Sequence, residues 1–161
     1  MNQNTKKIQV ASAALEYIEN GQIIGIGSGS TVNCLIEQLD KVKSKIEAVV
    51  SSSEATTKLV ESKNIRVIDL KESGKIPLYI DGADESNHHK QLIKGGGGAL
   101  TREKIVSHAS EKFICMIAFC LLTQASFAAG DSSSDSESYS DPQKAAQNFV
   151  KRGKKLESKG K

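Results

Sequence analysis

The sequence is short of cysteine, of long apolar runs and of any large excess of charge, and each shortage removes a class of protein. Three cysteines occur, Cys34, Cys115 and Cys120. An odd count without CxxC spacing argues against a disulfide framework or a zinc site. Two of them stand in apolar surroundings, where a free cysteine behaves as a small core hydrophobe. This usage points to a reducing, cytoplasmic setting. The formal net charge is only +3, and it comes from the far end. Residues 130–142 hold Asp131, Asp135, Glu137 and Asp141 with no basic side chain, whereas residues 143–161 are basic apart from Glu157. The first 129 residues are near neutral and give no electrostatic reason to expect nucleic acid. Met1 to Lys7 is polar and reads as no export signal. The one unbroken apolar run, Phe113 to Leu122, is shorter than the roughly 20 residues a membrane span needs. With Ala125-Ser126-Phe127-Ala128-Ala129 behind it, that run has the form of a signal h-region and cleavage site, in an internal position where export machinery would not read it.

What is present is 161 residues with 38% hydrophobic and 25% charged side chains, the composition of a globular protein. Apolar spacing predicts helices over Thr5–Asn20, Thr31–Leu39, Glu54–Ser62 and Thr101–Ala109, with Gly21 a natural stop for the first and the hydroxyls of Ser51 to Ser53 available as N-caps. Short apolar runs predict strands at Ile23–Ile26, Ala48–Val50, Ile65–Leu70, Leu78–Ile80 and Lys112–Cys115. Strands alternating with helices imply βαβ units, and thus an α/β fold with a mostly parallel sheet. Ligands in such sheets bind beyond the carboxyl ends of the strands. The expected organisation is an α/β domain over residues 1–115, an apolar signal-like segment over 116–129, a Ser/Asp-rich linker over 130–142 and a basic helical tail over 143–161.

Three loops that follow the strands carry unusual chemistry. Gly25-Ile26-Gly27-Ser28-Gly29-Ser30-Thr31 joins a strand to a helix. Its glycines allow close backbone approach, and free N–H groups at a helix start attract phosphate. It is not a P-loop, since no Gly-Lys-Ser/Thr follows, and alone it reads equally well as a tight turn. Asp81-Gly82-Ala83-Asp84-Glu85 places two carboxylates at a strand end, suited to proton handling or hydroxyl binding, or to an Asp-rich turn that caps the next element. A metal reading lacks partners, because His88 and His89 are adjacent and do not easily converge on one ion. Lys94-Gly95-Gly96-Gly97-Gly98-Ala99-Leu100-Thr101-Arg102-Glu103 has four glycines in succession, an entropic cost that a backbone wrapped around a ligand would explain. Glu103 falls in the first helical turn, where the helix dipole favours its ionised form and partial burial opposes it, as suits a general base.

Gly-Ser-Gly-Ser-Thr, Val-Ser-Ser-Ser, Asp-Gly-Ala-Asp-Glu, Ile-Lys-Gly-Gly-Gly and Leu-Thr-Arg-Glu-Lys-Ile-Val, in this order and spacing, resemble the ribose-5-phosphate isomerase A family. The likeness continues through Glu111-Lys112-Phe113-Ile114-Cys115. It implies a Rossmann-like sheet with helices on both faces. It also implies interconversion of ribose 5-phosphate and ribulose 5-phosphate through an enediolate, a step of the non-oxidative pentose phosphate pathway that needs no metal or organic cofactor. By the family's pattern Glu103 is the base. Asp81, Asp84 and Lys94 handle ring opening and polarise the substrate oxygens. Ser28, Gly29, Ser30, Thr31, Gly82, Ala83, Gly95, Gly96 and Gly97 hold the sugar phosphate, approached from the first helix by Lys7. Partners would be a sugar phosphate and, in the family, further copies of the chain, with neither nucleic acid nor membrane. After Cys115 the pattern is lost. The family's acidic residue and substrate-closing lysine are replaced by Met116-Ile117-Ala118-Phe119-Cys120-Leu121, and its second α+β domain has no counterpart. A chain truncated in this way is expected to keep an unpaired sheet edge and to be impaired in catalysis. The rival readings are a non-catalytic sugar-phosphate-binding module and an inactive fragment.

Overall fold

The computed structural model describes residues 2–87, 89 and 91–118. The chain divides into a unit of Met1–Phe119 and a second unit from Cys120 onward. Most of the signal-like segment, the Ser/Asp-rich linker and the basic tail expected from the sequence lie outside the described residues.

The first unit opens with α1 (Gln3–Leu15), capped by Asn2, whose side chain accepts from the Asn4 N–H. Helical spacing runs on to Ile18, but the helix stops at Leu15. From there Glu16, Tyr17 and Ile18 donate to carbonyls three residues back, the tighter pattern of a helix end. Gly21 then turns the chain at φ +70° into β1 (Gln22–Ile26). α2 (Ser30–Gln38) leads through two short 3₁₀ turns to β2 (Ile46–Ser51), and α3 (Glu54–Ser62) is capped by Ser53. The strand expected over Ile65–Leu70 is reduced to one parallel bridge, Val67 to Val49. Asp69 takes the N-cap position of a four-residue helix, α4 (Leu70–Ser73), which leaves no length for a ladder. β3 (Ile76–Gly82), α5 (Leu100–His108) and β6 (Ser110–Met116) follow. Between β3 and α5 lies an antiparallel pair absent from the sequence expectation, β4 (Glu85–Ser86) with β5 (Leu92–Ile93).

The four long strands pair in the order β2-β1-β3-β6, every pair parallel. Alternation along the strands assigns side chains to two cores. Ile24, Ile26, Val49, Leu78 and Ile80 join Ala11, Leu15, Leu35 and Val60 from α1, α2 and α3. Val50 and Tyr79 point the other way, to Val106 of α5. Helices therefore cover both faces, and the fold is the expected α/β class with a mostly parallel sheet. β6 is an edge strand among the described residues, with Phe113 37% exposed. Because β1 and β3 are neighbours, with Ile26 opposite Ile80, the loops that leave their carboxyl ends emerge side by side.

Candidate active site

Asp81 lies one residue before the end of β3 with no exposed surface, and its carboxylate is saturated with donors. Oδ1 accepts the N–H groups of Ser28 at 3.2 Å and Gly82 at 2.7 Å; Oδ2 accepts the Tyr79 hydroxyl at 2.6 Å and lies 2.8 Å from Lys94 Nζ. A buried carboxylate is tolerated only with such pairing. Gly27 makes room for it: a Cβ there would stand 1.9 Å from Asp81 Cγ. The Gly27 carbonyl is tied in turn by Thr56 Oγ1 at 2.8 Å.

Glu103 lies in the first turn of α5 and is 5% exposed. Its Oε1 accepts Ser28 Oγ at 2.7 Å. Its Oε2 is 3.2 Å from Lys94 Nζ yet has no hydrogen bond, so charge proximity alone supports it. Lys94 arrives from the stretch after β5 and also donates to the Gly82 carbonyl. One ammonium thus stands between two carboxylates. Burial opposes the charge on Lys94, but the hydrogen bond and charge of Asp81, followed by the charge of Glu103, outweigh it and raise the Lys94 pKa. Burial, with the charge of Asp81, also pushes the Tyr79 phenol far above its ordinary range. Burial raises the Cys115 thiol on β6 to about 11, Asp81 adding to the shift and Lys94 opposing it.

Two further groups rim this cluster. At the start of α2, Gly29 occupies the N-cap position at φ +98° without a side-chain cap, and Lys7 Nζ donates to Ser30 Oγ at 2.9 Å. That leaves backbone N–H groups, a hydroxyl and an ammonium together, a combination suited to an anion. Thr31 lies against Gly82, with Cβ 3.6 Å from where a Gly82 Cβ would be, so the first two loops touch. On the glycine loop, Gly96 N–H donates to Asp84 Oδ2 at 3.0 Å, and Gly95 takes φ +106°. A cleft of about 250 Å³ opens between Ser52–Glu54 and the Gly97–Ala99 turn.

The structure therefore brings Ser28, Asp81, Lys94 and Glu103 into one cluster, sets Lys7, Ser30 and Thr31 at one rim, and ties Asp84 to Gly96 at another. His89 is exposed, and among the described residues no group of three His, Cys, Asp or Glu side chains could hold a metal ion. Sequence reasoning missed Tyr79, which reads as an ordinary strand residue. The available signal was its position two residues before Asp81, on the same face of the strand.

Residues 48–124 match the family model for ribose 5-phosphate isomerase A (phosphoriboisomerase A), and residues 2–72 match that for the DeoR C terminal sensor domain. Ribose-5-phosphate isomerase A of Legionella pneumophila strain Corby is 53% identical over 111 residues, 69% of this chain and 51% of that protein. The Haemophilus influenzae protein of the same name is 50% identical over 117 residues, 73% of this chain and 53% of that protein. The crystal structure of ribose 5 phosphate isomerase A from Neisseria gonorrhoeae aligns with a TM-score of 0.68 at 47% identity, covering 71% of this chain and 51% of that one. A D-ribose-5-phosphate isomerase in complex with phospho-erythronic acid aligns with a TM-score of 0.65 at 33% identity, covering 73% of this chain and 55% of that one. The chain spans about half the length of the curated relatives it matches. No helix among the described residues is long and apolar enough to cross a membrane. Motif order, structural alignment and relatives agree: through the stretch from α1 to β6, the chain belongs to the ribose-5-phosphate isomerase A family.

Proposed function

We propose that this chain carries the proton-transfer machinery of an aldose–ketose isomerase acting on ribose 5-phosphate and ribulose 5-phosphate. The observation that supports this reading most is Glu103, buried, with one oxygen oriented by Ser28 and the other free of hydrogen bonds beside Lys94. In the open-chain aldose, Glu103 removes the proton from C2, and the electron pair forms the C1–C2 double bond as negative charge develops on O1. The Lys94 ammonium meets that charge, the largest contribution such a site can make. Return of the proton from Glu103 to C1, with transfer of the O2 hydroxyl proton to O1, completes the ketose. Asp81, Asp84 and Lys94 serve ring opening and polarise the substrate oxygens, Asp81 acting through the ammonium it holds. Ser28 to Thr31, Gly82, Ala83 and Gly95 to Gly97 hold the sugar phosphate, with Lys7 at the phosphate. The setting is cytoplasmic, and the reaction draws on no cofactor.

The domain boundaries are part of the proposal: an isomerase-like domain to residue 115, then the signal-like segment, the linker and the tail. A coupled assay of ribose 5-phosphate to ribulose 5-phosphate, on the full chain beside Glu103→Gln, tests the reading. Turnover that disappears in the variant supports it; equal turnover in both removes Glu103 from the mechanism. The second reading, a sugar-phosphate sensor, is favoured by the match of residues 2–72 to a sensor domain. That match stops before Asp81, Lys94 and Glu103. Ribose 5-phosphate binding without turnover would favour it.

A further inference from the structure

We propose that Tyr79 is a positioning residue for the reaction, its hydroxyl setting how tightly Asp81 holds Lys94. This rests on the isomerase reading for its catalytic consequence but not for its geometry. The phenol has no exposed surface and donates to Asp81 Oδ2 at 2.6 Å, the same oxygen that Lys94 Nζ approaches at 2.8 Å. The ring is fixed independently of that bond. It stacks on Phe113 with centroids 5.4 Å apart, and it fills space kept open by Gly25, where a Cβ would lie 2.7 Å from the ring. A strand core needs no hydroxyl at such a position; phenylalanine would pack as well.

The hydroxyl does electrostatic work. A donor on a carboxylate oxygen draws charge from it and weakens its grip on a second partner. Without the phenol, Lys94 becomes the sole partner of Oδ2. The charged and titratable groups around the ammonium are Asp81 on β3, Glu103 on α5 and Cys115 on β6, with Tyr79 behind Asp81. Of these, Asp81 raises the Lys94 pKa most. Tyr79 thus moderates that hold and leaves the ammonium free to donate to a developing oxyanion.

The test is Tyr79→Phe in the full chain, with Phe113→Leu as a packing control. Acetylation of Lys94 by acetic anhydride at pH 9 is followed by mass spectrometry, relative to exposed Lys104, and kcat and KM are measured on the same samples. In Tyr79→Phe, Lys94 labelling is expected to slow about threefold, as a tighter hold by Asp81 on the ammonium requires. Turnover should fall about tenfold in kcat with KM within about twofold. Phe113→Leu should leave labelling unchanged. Unchanged or faster Lys94 labelling in Tyr79→Phe, or equal slowing in Phe113→Leu, would overturn the assignment. A parent chain without turnover whose Lys94 labelling still slows in Tyr79→Phe would sink the isomerase reading and leave the positioning role standing. Turnover with unmoved labelling would do the reverse.

Discussion

The two faces of the sheet are built from the same strands and do different work. On one, Ile24, Ile26, Leu78 and Ile80 meet α1 and α2 in a wholly apolar core. On the other, Tyr79, Val50 and Val106 form a small apolar patch, and beyond it Asp81, Lys94 and Glu103 are buried as a charged cluster. Burial of apolar area is the stabilising force on the first face. On the second, desolvation of charge is offset by hydrogen bonds and costs stability if any partner is lost. One face holds the strands in place, and the other spends that rigidity on aiming side chains.

That division can be broken by substitution. The largest effect is expected from Glu103→Gln, with turnover lower by about a hundredfold to ten-thousandfold and a much smaller loss of stability, since the amide can keep the Ser28 bond but not the charge beside Lys94. Equal loss of activity and stability would erase the distinction between the faces. The mirror experiment is Leu35→Ala in the apolar face, which should lower the unfolding free energy by about 2–5 kcal/mol while kcat at a temperature below unfolding stays near the parent's. Gly27→Ala joins the two. Its methyl would collide with the Asp81 carboxylate, so stability should drop by about 1–3 kcal/mol and kcat should fall with it.

A pH series sharpens the contrast further. The Lys94 pKa is raised above its ordinary 10.5 in the folded chain, so its contribution to stability is fully present below pH 10.5 and is lost as pH rises through the folded value. The Tyr79 phenol, raised above 10.0, acts in the same direction. Tm measured between pH 8 and about 11.5 should therefore fall more steeply in the parent than in Lys94→Met, and Leu35→Ala should keep the parent's slope. The smallest effect is expected at Glu54. Its carboxyl is held below the ordinary carboxylate range by the hydrogen bond and charge of Arg102, at 2.8 Å, but the pair is exposed. Glu54→Gln should leave Tm unchanged within measurement.

Much of this was legible in the residues. Apolar spacing located the four longer helices, and the short apolar runs located the four strands of the main sheet, because both periods follow from backbone geometry. The three loops stood out because glycines and paired carboxylates have few structural uses in such numbers. Ile65–Leu70 misled because an apolar run cannot show that a short helix will start after Asp69 and leave Val67 with a single bridge. The β4–β5 pair was missed because two-residue strands leave no periodicity. Ser28 and Glu103 were both visible as candidates, but not as partners. A side-chain bond across so many positions depends on strand order, which local sequence does not encode.

That bond spans 75 positions, and the one from Ser28 N–H to Asp81 spans 53. Contacts of such separation are closed late in folding, since the loop entropy comes before the reward. On the ribosome, the charged cluster as a whole cannot be complete until α5, which carries Glu103, has emerged. The helices α1 and α2 can meet long before. Asp81 can gather its donors and its ammonium once Lys94 is out, and only Glu103 has to wait for α5. The cluster is therefore a natural reporter of finished folding: its appearance in time, followed for instance by protection of Lys94 from labelling, would mark the moment when a collapsed chain becomes a native one.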